Sequence, residues 1–212
     1  MRKHLVSLSA AAALTLGGPA MADGMSYSYV QADLLGSQLD ANFSSISGAG
    51  FGLNGSVELG SHLYAFGGYK TNKYTGNGVR FRFIPASAGL GLHVPLGSLD
   101  IFGGPSIERL KVRFRVLGFA GSSYSQSFDG WGFGLGLRGW IGGSFQWSGG
   151  LKYRDMKDFQ SLTSITLAGH YFFSPRLALG MGFTYQKYDN FLLYARDSVG
   201  SLNFRYSFGT PF

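Results

Sequence analysis

The stretch Trp131-Gly-Phe-Gly-Leu-Gly-Leu-Arg-Gly-Trp-Ile141 decides the fold. Trp131, Phe133, Leu135, Leu137 and Ile141 share one parity, whereas Gly132, Gly134, Gly136, Arg138 and Trp140 share the other. In an extended strand, alternate residues face opposite sides. One side is therefore apolar, and the other is mostly glycine with one cation. Repetition of this pattern along a chain, between turn signals, is what a transmembrane β-barrel requires. The stretch also holds Gly134-Leu-Gly136-Leu-Arg-Gly139, a match to the dinucleotide fingerprint G-x-G-x-x-G. That fingerprint acts only in a strand-to-helix turn, where helix N–H groups meet a pyrophosphate. Here the alternation runs straight through the glycines and no helical pattern follows, so no cofactor is expected.

Outward from this stretch, the chain ends and the composition agree. The N-terminus has a basic start at Arg2 and Lys3, an apolar run from Leu5 to Leu16, and a small-residue exit at Ala20-Met21-Ala22. This reads as a cleaved secretory signal peptide over residues 1–22, leaving a barrel over 23–212. No stretch approaches the ~20 apolar residues of a membrane helix, so a membrane-inserted mature chain must be a closed barrel. Charged residues are 14% of the chain, against ~25% in ordinary soluble domains. That deficit suits a wall facing lipid. There is no cysteine, hence no disulfide framework or thiolate site.

Parity and turn signals predict ten strands: Met25–Leu35, Phe51–Leu59, His62–Thr71, Arg80–Val94, Leu99–Arg115, Trp131–Ile141, Phe145–Arg154, Leu162–Phe173, Leu177–Lys187 and Ser198–Phe208. Gly36–Gly50 and Leu117–Gln126 read as loops. The third strand is ambiguous, because Tyr64 and Phe66 compete with Leu63, Ala65 and Tyr69. Pro85 removes a ladder donor, which predicts a bulge or a fray. Around Pro105, Ile101 and Ile107 share one parity but Leu110, Val112 and Phe114 share the other, which predicts a second bulge. The fold class is an all-β, transmembrane, antiparallel up-and-down β-barrel of ten strands. Eight is the alternative if the third strand or a proline-bearing strand is misread. Short turns after even strands and longer connections after odd ones place both termini on the periplasmic side.

The signal ending Ala20-Met21-Ala22, the alternating strands and the C-terminal run Phe204-Arg-Tyr206-Ser-Phe208-Gly-Thr-Pro-Phe212 resemble the small Gram-negative outer-membrane barrels of the OmpA/OmpX-like superfamily. The resemblance covers the mature chain and implies the cell outer membrane as location. It implies that Phe204, Tyr206, Phe208 and Phe212 form the signal read by the barrel-assembly machinery. Pro211 beside the terminal Phe departs from the pattern. Fold resemblance says little of activity.

Function rests on the charges. On the ten-strand map, thirteen basic residues of the mature chain fall in outer halves or loops and three in inner halves. Arg and Lys suit phosphate through charge-assisted bonds. Lys111, Arg113, Arg115, Lys73 and Arg80 are therefore candidate contacts to lipopolysaccharide. Glu58, Arg138, Lys152, Arg154 and Arg205 are lumen candidates; the alternative for inward cations is ion pairing with Asp33, Glu58, Glu108 and Asp129.

Catalysis and metal binding find no constellation. His62, His93 and His170 fall near periplasmic ends, away from rim carboxylates such as Asp155, Asp158 and Asp197. No His/Asp/Glu spacing recommends a metal. Glycines 130, 132, 134, 136, 150, 180 and 182 point inward and leave space, which Tyr29, Trp140, Lys152, Arg154 and Gln186 can refill. The expected protein is a non-enzymatic, monomeric barrel with a plugged lumen. Its partners are outer-membrane lipid, lipopolysaccharide and the assembly machinery, with no nucleic acid. A narrow porin-like passive channel is the alternative, with a rim-site lipid-modifying enzyme or protease behind it.

Overall fold

The computed structural model describes residues 26–41, 44–76, 78–116, 123–159, 161–189 and 195–208. The signal-peptide reading of residues 1–22 and the terminal Phe212 lie outside them.

Ten antiparallel strands close into one barrel: β1 (Tyr29–Ala41), β2 (Ser44–Glu58), β3 (Leu63–Gly76), β4 (Val79–Leu96), β5 (Leu99–Val116), β6 (Ser123–Ile141), β7 (Phe145–Met156), β8 (Ser161–Phe172), β9 (Leu177–Asp189) and β10 (Ala195–Ser207). Each strand pairs with its sequence neighbours, and β1 pairs with β10, from Tyr29 opposite Ser207 to Ala41 opposite Ala195. Closure leaves no edge over the paired length, which the hydrocarbon of a bilayer demands. The end where β1 begins and β10 finishes is called the base here, and the other end the top.

The alternation read from the sequence is realised as an inside-out protein. Leu135, Leu137, Leu151, Leu167, Leu179, Met181 and Phe204 are exposed on the outer wall. Aromatic residues mark both margins of this apolar band: Phe51, Tyr69, Trp131 and Tyr153 toward the top, and Phe145, Tyr171, Phe173, Tyr206 and Phe208 toward the base. Such girdles are the interfacial signature of a spanning barrel.

Several expectations are corrected. Gly36–Gly50 is not a loop, because Gly36 pairs with Ala49 and the ladder continues to Ala41 opposite Ser44. The residues there are small and polar because both faces stand clear of lipid, so no alternation advertises the strand. The connections at the top are accordingly short apart from those over 117–122 and 190–194. The asymmetry between the two ends lies in strand length. β4, β5 and β6 have 18, 18 and 19 residues, whereas β7 and β8 have 12 each. Six extra residues amount to about 20 Å of strand, so one arc of the barrel rises well above the other.

Neither proline makes a bulge. Pairing between β3 and β4 skips Pro85, and pairing between β4 and β5 skips Pro105. The register on the two sides of each gap is unchanged, as Gly89–Ser106 above and Leu92–Gly103 below show for the second. Proline lacks the N–H and the ladder drops bonds without inserting a residue. The parity of β5 therefore never slips: Ile101 and Ile107 face out, and Leu110 is buried inside with Val112 beside it. In β3 the ambiguity resolves with Leu63 and Tyr69 exposed and Tyr64 buried in the lumen.

Inward glycines work with their neighbours. The Tyr64 ring lies across Gly91, and the Phe102 ring across Gly136. Each pair is directly opposed in adjacent strands. The bulk that these two glycines admit comes from the adjacent strand.

Candidate functional site

The lumen is built in layers. At the base, Tyr27 precedes β1 and turns into the barrel, where it is 4% exposed. Its ring stacks on His93 at 4.1 Å and on Tyr64 at 4.5 Å, with the Arg138 guanidinium 3.9 Å from its centroid. Its hydroxyl donates to Asp100 Oδ2 at 2.6 Å, and Arg138 Nη2 donates to the same oxygen at 3.2 Å. Glu58 lies 3.6 Å from His93 Nε2, and Asp100 lies 3.5 Å from His93 Nδ1. Burial pushes the Tyr27 phenol well above its ordinary pKa; Arg138 opposes this and the Asp100 hydrogen bond reinforces it. The phenol therefore stays a donor at any physiological pH.

Beside this layer, Arg205 donates to Gln31 Oε1 at 2.8 Å and to Gln146 Oε1 at 2.9 Å, and lies 4.2 Å from the Tyr29 centroid. Farther up, Glu108 on β5 holds Lys152 on β7 at 2.7 Å and Arg154 at 3.6 Å, and accepts from Ser106 at 2.6 Å. Arg154 also donates to Gln186 at 2.9 Å. Lys70 on β3 shares this level. It points inward with Asn72 and Tyr74.

Above the charges the lumen turns apolar. Leu110, Phe128, Met156, Leu162 and Tyr188 form a buried cluster flanked by Phe83, Val112 and Phe159. Phe159 enters from the turn after β7 and meets Phe128 at 4.6 Å between centroids. Asp158 takes φ 59° there, the left-handed region that Asp tolerates better than most side chains. Beside the cluster, Tyr74 donates to Asp197 at 2.9 Å. Asp197 had been read as a rim carboxylate and is buried in the lumen instead.

The outer wall carries a second constellation on the tall arc. Lys73, Arg82 and Arg113 stand directly opposite one another across β3, β4 and β5, and Arg80 stands opposite Arg115. Lys111 and Arg109 continue the outward row of β5. Asp129 had been read as a lumen acid; it faces outward and pairs with Arg109 at 2.6 Å in the open. Arg80 Nε is buried without a hydrogen-bond partner. The five sequence candidates for phosphate contact thus lie on one patch. Arg82 belongs with them and was findable, since it shares the parity of Arg80. Glu108, named from the sequence as an acid for inward cations, does pair with Lys152 and Arg154, whereas Tyr27 was not singled out for the lumen.

Phe204, Tyr206 and Phe208 line the outward face of the last strand near the base. His93 and His170 are buried near the base, and His62 sits in the exposed turn between β2 and β3. Ser61 Oγ lies 2.8 Å from His62 Nδ1 in that turn. Among the described residues no carboxylate is placed within ion-pair distance of His62, and no group of three His, Asp or Glu side chains converges as a metal set.

No protein-family model and no curated protein sequence matches the chain. Solved structures do. Neisserial surface protein A superposes with a TM-score of 0.52 at 15% identity, covering 86% of this chain and 98% of the other. The translocator domain of the autotransporter NalP from Neisseria meningitidis gives 0.48 at 13% identity, covering 89% and 91%. Ail, the attachment invasion locus protein of Yersinia pestis, gives 0.45 at 14% identity, covering 87% and 100%. The chain has the fold of an outer-membrane β-barrel.

Proposed function

We propose that this is a non-enzymatic barrel of the Gram-negative outer membrane, with its base in the periplasm and its lumen plugged. Its tall arc contacts lipopolysaccharide phosphates. The observation that carries this reading is the register of the outward cations. Like charges directly opposite in a sheet repel and destabilise it. Lys73–Arg82–Arg113 and Arg80–Arg115 are two such rows, side by side above the apolar band. Among the described residues, Asp129 is the one acid in ion-pair contact with the patch, and it engages Arg109 alone. A phosphate placed between the rows turns this repulsion into shared charge-assisted bonds.

Two packed layers support the plugged reading. The Tyr27 layer closes the base, and the apolar cluster closes the top, where a dry constriction opposes ion passage. The test has two parts. Purified barrel should bind lipopolysaccharide in a salt-sensitive manner, and Arg82→Gln with Arg113→Gln should weaken that binding most at low salt. Wild-type barrel in planar bilayers should be silent. Steady anion-selective steps would overturn the plugged reading, and unchanged lipopolysaccharide affinity in the double variant would overturn the phosphate reading.

A further inference from the structure

Between the two packed layers the lumen opens into a cavity of about 370 Å³. Small-molecule sites begin at about that size. A smaller space of about 120 Å³ lies toward the top, and Lys70 and Lys152 line both. The charges around this junction do not balance locally. One carboxylate, Glu108, serves both Lys152 and Arg154. Lys70 makes no hydrogen bond or ion pair among the described residues; its acidic neighbour is Asp33, whose oxygens take the side-chain amides of Gln31 and Asn54. Arg205, also on the cavity, is held by amide oxygens and an aromatic face, with no carboxylate in contact among the described residues.

A buried cation without an anion is costly, and the cost falls when a ligand supplies the charge. The rest of the wall suits a ligand with an apolar body. Phe66 and Phe102 line one side. On β6, the strand next to Phe102, Gly134 is bare: a Cβ there would meet nothing closer than 3.8 Å.

We propose that this cavity binds a small organic anion. Its oxyanion head lies between Lys70 and Lys152, and its apolar body lies against Phe66 and Phe102. A carboxylate and a phosphate monoester share that chemistry. The site is distinct from the outer patch, which meets phosphates on the far side of the wall.

The test is calorimetric titration and thermal unfolding of the refolded barrel in detergent at low ionic strength. The probes are benzoate, phenyl phosphate and inorganic phosphate. Saturable binding of benzoate or phenyl phosphate is expected, with a raised Tm. The tighter of the two identifies the head. Lys70→Met should weaken it ~10–100-fold, as loss of a charged hydrogen bond does. Gly134→Leu fills the cavity while leaving every cation in place and cannot reach the outer wall; it should abolish binding of both phenyl probes. If Lys70→Met does not fold, Gly134→Leu decides alone. No saturable binding to wild type overturns the proposal. So does binding that survives Gly134→Leu, or inorganic phosphate matching phenyl phosphate.

Discussion

The hydroxyl of Tyr27 reaches Asp100 at 2.6 Å, although the two residues are 73 positions apart in the chain. Tyr27 belongs to no strand, whereas Asp100 is the second residue of β5. A side chain delivered from outside the barrel wall thus packs across the base. The apolar layer at the top stands in series with it. Tyr27→Ala alone should stay silent in planar bilayers, because the upper layer still excludes ions. Tyr27→Ala combined with Phe159→Ser and Met156→Ser should give discrete steps with anion preference, given the cations between the layers. Conductance in the single variant would place the whole barrier at the base.

Glu108 is the carboxylate shared by two lumen cations. Its side chain is 4% exposed, and it faces Lys152 and Arg154 together. Glu108→Gln leaves both cations without a carboxylate, and removal of one partner from a buried pair costs about 3–5 kcal/mol. Guanidinium unfolding of the refolded barrel should show that loss. Lys152→Met, which leaves Glu108 with Arg154, should cost clearly less. Equal losses would mean that lumen water carries the compensation.

The lipid wall gives a test of register. Leu135 and Leu179 are half exposed on the outer face. Arg at either position should cost about 2–4 kcal/mol in lipid vesicles. Arg at Gly134, one residue away and inside, avoids the lipid cost and meets the repulsion of Lys152 instead. Similar losses at Leu135 and Gly134 would contradict the inward parity of the glycines.

The outward cations should trade stability for binding. Arg82→Gln removes repulsion from both Lys73 and Arg113. Without lipopolysaccharide, the variant should be more stable than wild type by about 0.2–1 kcal/mol per relieved pair. With lipopolysaccharide the order should reverse. A variant less stable under both conditions would show that Arg82 serves the sheet and not a ligand.

The strand count and the lipid-facing residues were legible because lipid demands an unbroken apolar parity, and Trp131–Ile141 and Phe145–Arg154 supply it. The top of β5 was harder. Leu110, Val112 and Phe114 alternate as cleanly as any lipid-facing run, but they face inward. A period of two separates faces without saying which one is wet, and a dry layer inside the lumen inverts the usual assignment. Tyr64 and Phe66 were ambiguous for the same reason. Gly36–Gly50 was unreadable as strand because its small and polar residues carry no two-residue apolar alternation. The outward cations were legible as candidates one by one. Their opposition across β3, β4 and β5 needs the pairing register, which no single stretch contains.

The unequal height of the wall has a consequence in the plane of the membrane. Arg80, Arg82, Arg113 and Arg115 crown the tall strands β4 and β5, while β7 and β8 end 6 residues shorter. The barrel therefore has a bearing as well as an up and a down. Neighbours along one arc meet a raised, strongly cationic parapet; those along the other meet a lower rim. In a crowded leaflet such a molecule is not a round peg: what it presents to a neighbour depends on azimuth.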